Sequence, residues 1–304
     1  MREMRNWYLI FIVAVLIGSL ATSGCYRKGE NIPINPPTAT QEIADGWTAF
    51  ENGDYETAET NFKAAKDRDA LQAEAYLGLG WVQARLLNFD SAIANFRILQ
   101  SITQDQNMLA DSYAGLAVCY SAMNQHDQAI EEAQKVLAVS PDYSFIHDDY
   151  INTKTLYIVM ARAYINKGDY LSATELVDQH VEPGFIDKLL ADGVLVKAVN
   201  TETTPIVGAQ TVVNSQATIR LTKTKNDAEV PIELVKVLAV KSQDERVLYE
   251  VVSFDQGGSD ISFKGNPIPQ EEDIFKVDII YASDYGIFLS RLFKVLETFR
   301  FVSG

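Results

Sequence analysis

The sequence predicts a multidomain protein in which an α-solenoid of about four helix pairs precedes a β-rich domain. The chain has 304 residues, 47% of them hydrophobic, which is enough for two domains with their own cores. A helical pattern recurs four times between residues 41 and 182. From residue 183 to residue 304 the pattern changes to short segments rich in Val, Ile and Thr, which are typical of strands.

Residues 1–24 have the composition of a signal peptide. Arg2 and Arg5 precede an apolar run from Trp7 to Ile17, and small residues follow as far as Cys25. A charged start, an apolar stretch of about 7–15 residues and a small-residue exit define secretory signals. A membrane span is the alternative, but it needs about 20 apolar residues. The run in this sequence is shorter, which favours the signal peptide.

The stretch Leu20–Cys25 resembles a bacterial lipobox, which implies diacylglycerol and palmitate on Cys25 as the first residue of the mature protein. Thr22 departs from the family pattern, which usually has Leu there, so plain secretion and a retained anchor remain alternatives. In a bacterium with two membranes, Tyr26 in place of a retaining Asp favours the outer membrane, facing the periplasm. Residues 25–40 contain three prolines and no hydrophobic periodicity, as expected of an extended tether.

Small residues mark the helix pairs predicted over residues 41–182. The second helices open on alanines spaced by 34, 37 and 44 residues, namely Ala58, Ala92, Ala129 and Ala173. The first helices carry small residues at their own repeated position, namely Gly46, Gly80, Ala117 and Ala161. Gly or Ala at a helix crossing lets the backbones approach, while a large neighbouring side chain fills the gap beside it. A single pair cannot bury its apolar face, so at least three pairs must stack.

This four-fold pattern, with its initial period of 34 residues, resembles the tetratricopeptide repeat. The resemblance implies that the first helices line a concave groove that binds a segment of a protein partner. The positions that the resemblance assigns to the groove wall are Trp47, Phe50, Leu77, Trp81, Arg85, Arg162 and Asn166. The alternative is plain packing, with Trp47 covered by the tether and Trp81 by its neighbours. Asp142–Asn152 adds ten residues before the fourth copy, as a longer helix or loop.

The C-terminal region 183–304 contains at least five predicted strands separated by turn clusters. They lie at Gly193–Asn200, Ala217–Thr222, Val230–Val240, Val247–Phe254 and Ile274–Tyr281. Such spacing predicts either a sandwich or an α+β domain. From Ile287 to Phe299 the apolar residues follow helical spacing, which predicts a terminal amphipathic helix packed on the sheet.

Charge and motif content exclude several classes of function. The net charge of −15 would repel nucleic-acid phosphates. Residues 41–182 carry most of it, with 22 acidic and 9 basic side chains. The sequence contains no phosphate-binding glycine loop, HExxH, GxSxG or CxxC. His147-Asp148-Asp149 is a minor candidate for a metal or a base, because three adjacent residues cannot converge on one point of a helix.

We therefore expect a non-enzymatic scaffold, anchored by lipid in the cell envelope, that holds an unknown protein partner in its groove. We predict no catalytic residue, no metal and no cofactor. The alternative is that the repeats position a C-terminal enzyme or carbohydrate-binding module. The aromatic residues available for such a module are Tyr249, Phe254, Phe263 and Tyr281.

Overall fold

The computed structural model describes residues 37–198, 216–225, 228–231, 233–242, 244–255, 257–266 and 275–297. The signal-like segment 1–24, Cys25 and the tether as far as residue 36 lie outside this part of the chain. Within the described residues, no helix combines the length and the apolar character needed to cross a bilayer.

The N-terminal half of the described chain consists of stacked helix pairs. The pairs are α1 Ala39–Glu51 with α2 Tyr55–Arg68, α3 Ala73–Arg85 with α4 Phe89–Ile102, α5 Gln106–Ala122 with α6 His126–Val139, and α7 Thr153–Asn166 with α8 Tyr170–Leu176. The last helix continues as a π-helical turn, Val177–Val181. The four predicted copies are therefore four helix pairs in the predicted order.

Each pair turns through a residue in the left-handed backbone region. Gly53, Leu87, Asn124 and Gly168 occupy this position, with φ angles of 78°, 62°, 57° and 80°. Glycine adopts this region without steric cost, whereas Leu87 does so under strain. The second helix then begins at once, and in the first pair the Asp54 carboxylate accepts a hydrogen bond from the Thr57 amide at 3.1 Å.

The predicted packing of small against large residues is present in the first three pairs. A Cβ atom added at Gly46 would lie 2.8 Å from the Phe62 ring, and one added at Gly78 would lie 2.4 Å from it. Gly80 and Gly115 enclose the Phe96 ring in the same way, at 2.4 and 2.2 Å. Each ring therefore fills the space between its own pair and the next one, which is why the pairs stack as one core.

The connections between consecutive pairs differ in length. Residues 69–72 join α2 to α3, and residues 103–105 join α4 to α5. Residues 140–152, which we call the insert, join α6 to α7 and include the ten additional residues. The sequence left open whether these residues lengthen a helix or a loop, and they form a loop.

The C-terminal region is an α+β domain, which decides between the two predicted alternatives. After α9, Phe185–Ala191, it contains β1 Leu195–Ala198, β2 Gln216–Arg220, β3 Thr222–Lys225, β4 Ala228–Pro231, β5 Leu234–Ser242, β6 Leu248–Phe254, β7 Asp260–Lys264, β8 Phe275–Ala282 and α10 Tyr285–Glu297. Six strands form an antiparallel sheet in the order β1-β8-β5-β6-β7-β2, and β3 pairs with β4. The prediction missed β7 and the β3–β4 hairpin, whose strands have four or five residues each.

The sheet curls so that strands that are not neighbours touch. The rings of Phe263 on β7 and Phe275 on β8 lie 4.7 Å apart, although two strands separate them in the sheet. On the other side of the sheet, Phe288, Leu292 and Leu296 of α10 are buried in a second core. This core also includes α7 residues of the fourth helix pair, so the C-terminal domain covers the end of the solenoid.

Candidate functional site

The predicted groove residues of the first two helix pairs are buried. Trp47 is 5% exposed and Trp81 is fully buried, while Phe50 and Leu77 are each 4% exposed. The Trp47 indole N–H donates a hydrogen bond to Glu74 Oε1 at 3.0 Å. Truncating either tryptophan would therefore change stability first, by about 3–5 kcal/mol. Partner binding by these four residues remains a prediction.

The insert covers this part of the groove. The fully buried Phe145 ring stacks on Trp81 at a centroid distance of 4.6 Å and meets Trp47 edge-on at 5.9 Å. The His147 ring stacks on Trp47 at a centroid distance of 3.8 Å. The aromatic contacts expected from a partner are thus made by the chain itself.

Polar contacts attach the insert to three helix pairs. His147 Nδ1 lies 2.7 Å from Glu51 Oε1 of the first pair. Asp148 forms an ion pair with Arg85 of the second pair. The Tyr143 hydroxyl donates a hydrogen bond to Asp111 Oδ1 of the third pair at 2.9 Å.

Burial changes the acid–base properties of these anchoring groups. Desolvation lowers the pKa of the Arg85 guanidinium, although Tyr55 opposes it. Desolvation raises the pKa of Asp111 to about 6, against the opposing effect of the hydrogen bond from Tyr143. Burial, and then the nearby Asp111 carboxylate, raise the pKa of Tyr143 well above its ordinary value. Burial therefore disfavours the charged forms of Arg85 and Asp111 and keeps the Tyr143 hydroxyl protonated, as its donor role requires.

The predicted groove residues of the fourth pair lie beside α10 instead. Arg162 donates a hydrogen bond to the Leu296 carbonyl oxygen, and burial lowers the pKa of this guanidinium. Arg162 and Asn166 line a pocket of about 810 Å³ between α7 and α10. The C-terminal helix therefore forms the second wall of the groove at this end.

The pocket combines apolar and polar groups. Its apolar lining includes Leu289 and Phe293, and its polar lining includes Asn166, Lys294 and Glu297. A side chain with an apolar body and a carboxylate or amide end would match this combination. Sequence reasoning identified Arg162 and Asn166 but missed the contribution of α10, because the helix lies more than 100 residues away in the sequence.

The additional residues of the insert were predicted, but their position over the groove was missed, although their sequence carried a signal. It is the one long connection between described helix pairs, and it contains aromatic and acidic residues. His147 and Asp148 point to different partners, Glu51 and Arg85. Among the described residues, no group of three or more His, Cys, Asp or Glu side chains lies close enough to hold a metal ion.

The aromatic residues proposed for a C-terminal binding module lie in or against a core. Tyr249 is 5% exposed and Phe263 is fully buried, and both rings pack against Phe275. Phe254 and Tyr281 are partly buried against the same cluster. These four rings therefore form no open platform for a sugar, and no observation in the described part favours this alternative.

Comparison with known proteins finds similarity to tetratricopeptide repeats in the helical half. The family model of the tetratricopeptide repeat matches residues 110–143. Among solved structures, MamA is 23% identical, with a TM-score of 0.41, over 49% of this chain and 80% of its own. A thermophilic tetratricopeptide-repeat protein of Thermus thermophilus is 18% identical, with a TM-score of 0.38, over 51% and 80%. A tetratricopeptide-repeat protein of Parabacteroides merdae is 18% identical, with a TM-score of 0.38, over 47% and 52%.

No curated protein sequence matches this chain. The match at residues 110–143 coincides with α5, α6 and the start of the insert. The third helix pair is thus similar to a tetratricopeptide repeat, and the other three pairs stack with it in one solenoid. Solenoids built from such repeats form extended concave surfaces.

Proposed function

We propose that this chain is a non-enzymatic scaffold of the bacterial cell envelope that holds a segment of a protein partner. The observation that carries the proposal is the pocket beside Arg162 and Asn166, where groove positions of the fourth pair are accessible. The first two pairs are covered by the insert, so the pocket is the part of the predicted groove that a partner reaches without displacing the chain.

The chemistry of the pocket defines the partner segment. Leu289 and Phe293 offer apolar contacts, while Asn166 and Lys294 offer donors to a carboxylate or amide. The solenoid as a whole is acidic, with 22 acidic and 9 basic residues over 41–182. A strongly acidic partner surface would be repelled outside the pocket, so we expect one carboxylate or amide beside an apolar side chain rather than an acidic stretch.

The envelope location rests on the sequence at Cys25. We propose that a diacylglycerol group on this residue anchors the mature chain, in the outer membrane where two membranes exist, with the solenoid in the periplasm. The residues from Cys25 to the start of α1 at Ala39 would act as the tether between lipid and solenoid. A secreted or periplasmic form without lipid is the alternative.

Site-specific photo-crosslinking in living cells tests the partner site. A benzoyl-phenylalanine at position 293 places the reactive group at the pocket, where Phe293 is 40% exposed. Position 98 on α4 is the matched control, because Ile98 is 42% exposed but lies away from the pocket. We expect a discrete crosslinked protein from position 293 that position 98 does not give. Equal crosslinking from both positions, or none from either, would contradict the proposal.

The anchor is tested by the variant Cys25→Ser and by the mass of the mature N-terminus. We expect the wild-type chain in the membrane fraction with a lipid-modified Cys25, and the variant outside that fraction or unprocessed. A mature wild-type chain that begins at Gly24 and carries no lipid would refute the anchor while leaving the scaffold role open.

A further inference from the structure

The insert occupies the groove in the manner of a bound peptide. Phe145 lies between Trp47 and Trp81, and Asp148 pairs with Arg85, which is 63 residues away in the sequence. His147 reaches Glu51, which is 96 residues away. The contacts alternate an aromatic anchor with charged groups, which is how protein segments are recognised in grooves.

The insert is also organised by its own hydrogen bonds. At its base the Thr153 amide donates to the Tyr143 carbonyl at 2.8 Å. Nearer the tip, the Phe145 amide donates to the Ile151 carbonyl at 2.8 Å, and the Ile151 amide donates to the Asp148 carbonyl at 2.9 Å. The loop therefore has a shape of its own and joins α6 to α7 at a closed base.

The two sides of the insert differ in character. Phe145 faces the groove and is fully buried, whereas Ile146 and Tyr150 face away and are 82% and 77% exposed. The exposed pair also supplies a control, because it belongs to the same loop and has little buried surface to lose.

We propose that the insert is an internal ligand of the groove, and that the groove binds a separate segment of the same chemistry when the insert leaves. That segment has an aromatic residue for the space between Trp47 and Trp81, and a carboxylate three positions later for Arg85. Between its aromatic residue and its carboxylate, the segment has a ring or a cation that contacts Trp47 and Glu51. This second site extends the proposed scaffold function. It rests on that function in one respect, because a partner protein would supply the segment in the cell.

The insert competes because it is tethered. Its effective concentration at the groove is on the order of millimolar, since both of its ends are fixed beside the groove. A separate segment that makes the same contacts is therefore outcompeted, and its apparent affinity falls by the fraction of chains with an open groove. Weakening the insert should raise that fraction and hence the affinity for the segment.

A labelled synthetic peptide with the sequence of residues 141–152 tests this competition by fluorescence anisotropy. The full-length chain is compared with the double variant Phe145→Ala, Asp148→Ala and with the control Ile146→Ala, Tyr150→Ala. We expect the first variant to bind the peptide at least about 10-fold more tightly than wild type. The control variant should match wild type. A peptide with alanine in place of its phenylalanine should not bind.

Two results would overturn the proposal. In one, the folded Phe145→Ala, Asp148→Ala variant binds the peptide no better than wild type. In the other, the two double variants gain equally, which would show a nonspecific effect of loosening the loop. Neither result depends on an envelope partner. The peptide experiment therefore tests the insert, and the crosslinking experiment tests the pocket, independently of each other.

Thiol labelling of the variant Phe145→Cys, made together with Cys25→Ser, provides a second measurement with an internal reference. Cys119 is fully buried in the same core and reports loss of the fold. If the insert leaves the groove on its own, the thiol at position 145 of the folded variant reacts much faster than Cys119. If both thiols react slowly at one rate, or both react fast, the insert is an inseparable part of the core and the proposal fails.

Discussion

The tight packing of Phe96 between two glycines predicts the effect of a single added methyl group. In the variant Gly115→Ala the new Cβ would lie 2.2 Å from Phe96 Cζ, whereas ordinary carbon contacts are about 3.5–4.0 Å. The ring would have to move by more than about 1 Å. The ring cannot move away, because Gly80 packs against its other side. A Cβ atom added at Gly80 would lie only 2.4 Å from the ring.

Two opposing terms set the magnitude for Gly115→Ala. Overpacking a closed core costs about 1–3 kcal/mol, and the high end applies because the Phe96 ring is enclosed on both sides. Replacing glycine by alanine inside a helix returns about 1 kcal/mol. We therefore expect the free energy of unfolding to fall by about 2 kcal/mol.

Urea unfolding measures this change, with circular dichroism at 222 nm and tryptophan fluorescence as independent signals. Gly286→Ala on α10 is the control, because the nearest atom to its Cβ is Asp284 Oδ1 at 3.3 Å. Adding Phe96→Leu should reduce the cost of Gly115→Ala, because leucine lacks the outer ring atoms that clash. A Gly115→Ala variant as stable as wild type, or a strictly additive double variant, would refute the packing argument.

Three further predictions concern individual side chains. Leu87→Gly should raise the free energy of unfolding by about 0.5–1 kcal/mol in urea, because φ at Leu87 is 62° and its side chain is 51% exposed. Asp111 has a folded-state pKa of about 6 against an ordinary value of 3.8, so its contribution to stability is lost as the pH rises from about 4 to 6. The variant Asp111→Asn can still accept the hydrogen bond from Tyr143. Its stability relative to wild type, measured by urea midpoints, should therefore increase as the pH rises through that range. A stability difference that is the same at every pH would contradict this. Burial raises the pKa of the Cys119 thiol to about 12, so the native chain should show no thiol reactive toward Ellman's reagent once Cys25 carries lipid. A chain with an unmodified Cys25 should show one.

Much of the fold could be predicted because its causes are local. The alanines at 58, 92, 129 and 173 and the glycines of the first helices are set by contacts between adjacent helices, so their spacing in the sequence repeats. The burial of Phe288, Leu292 and Leu296 follows from helical periodicity in the same way. The five-residue strand β7 escaped prediction although Ile261 and Phe263 alternate with polar residues in it.

The candidate site was only partly predictable. Groove positions such as Trp81 and Arg162 followed from the repeat register, and their place on the first helices is correct. The segments that cover these residues could not be predicted from the repeat register. The cover of Trp81 is Phe145, 64 positions further along the chain, and the cover of Arg162 is α10, which begins 123 positions later.

The sequence by itself thus determined the helix pairs and their order, because both depend on neighbours three, four or about 34 positions away. Only the tertiary structure decided that the insert fills one end of the groove and that α10 walls the other. Those contacts join segments whose separation carries no periodic signal. Their free energy comes from burying Phe145 against two tryptophans and from pairing Asp148 with Arg85, and both depend on where the folded solenoid places the partners.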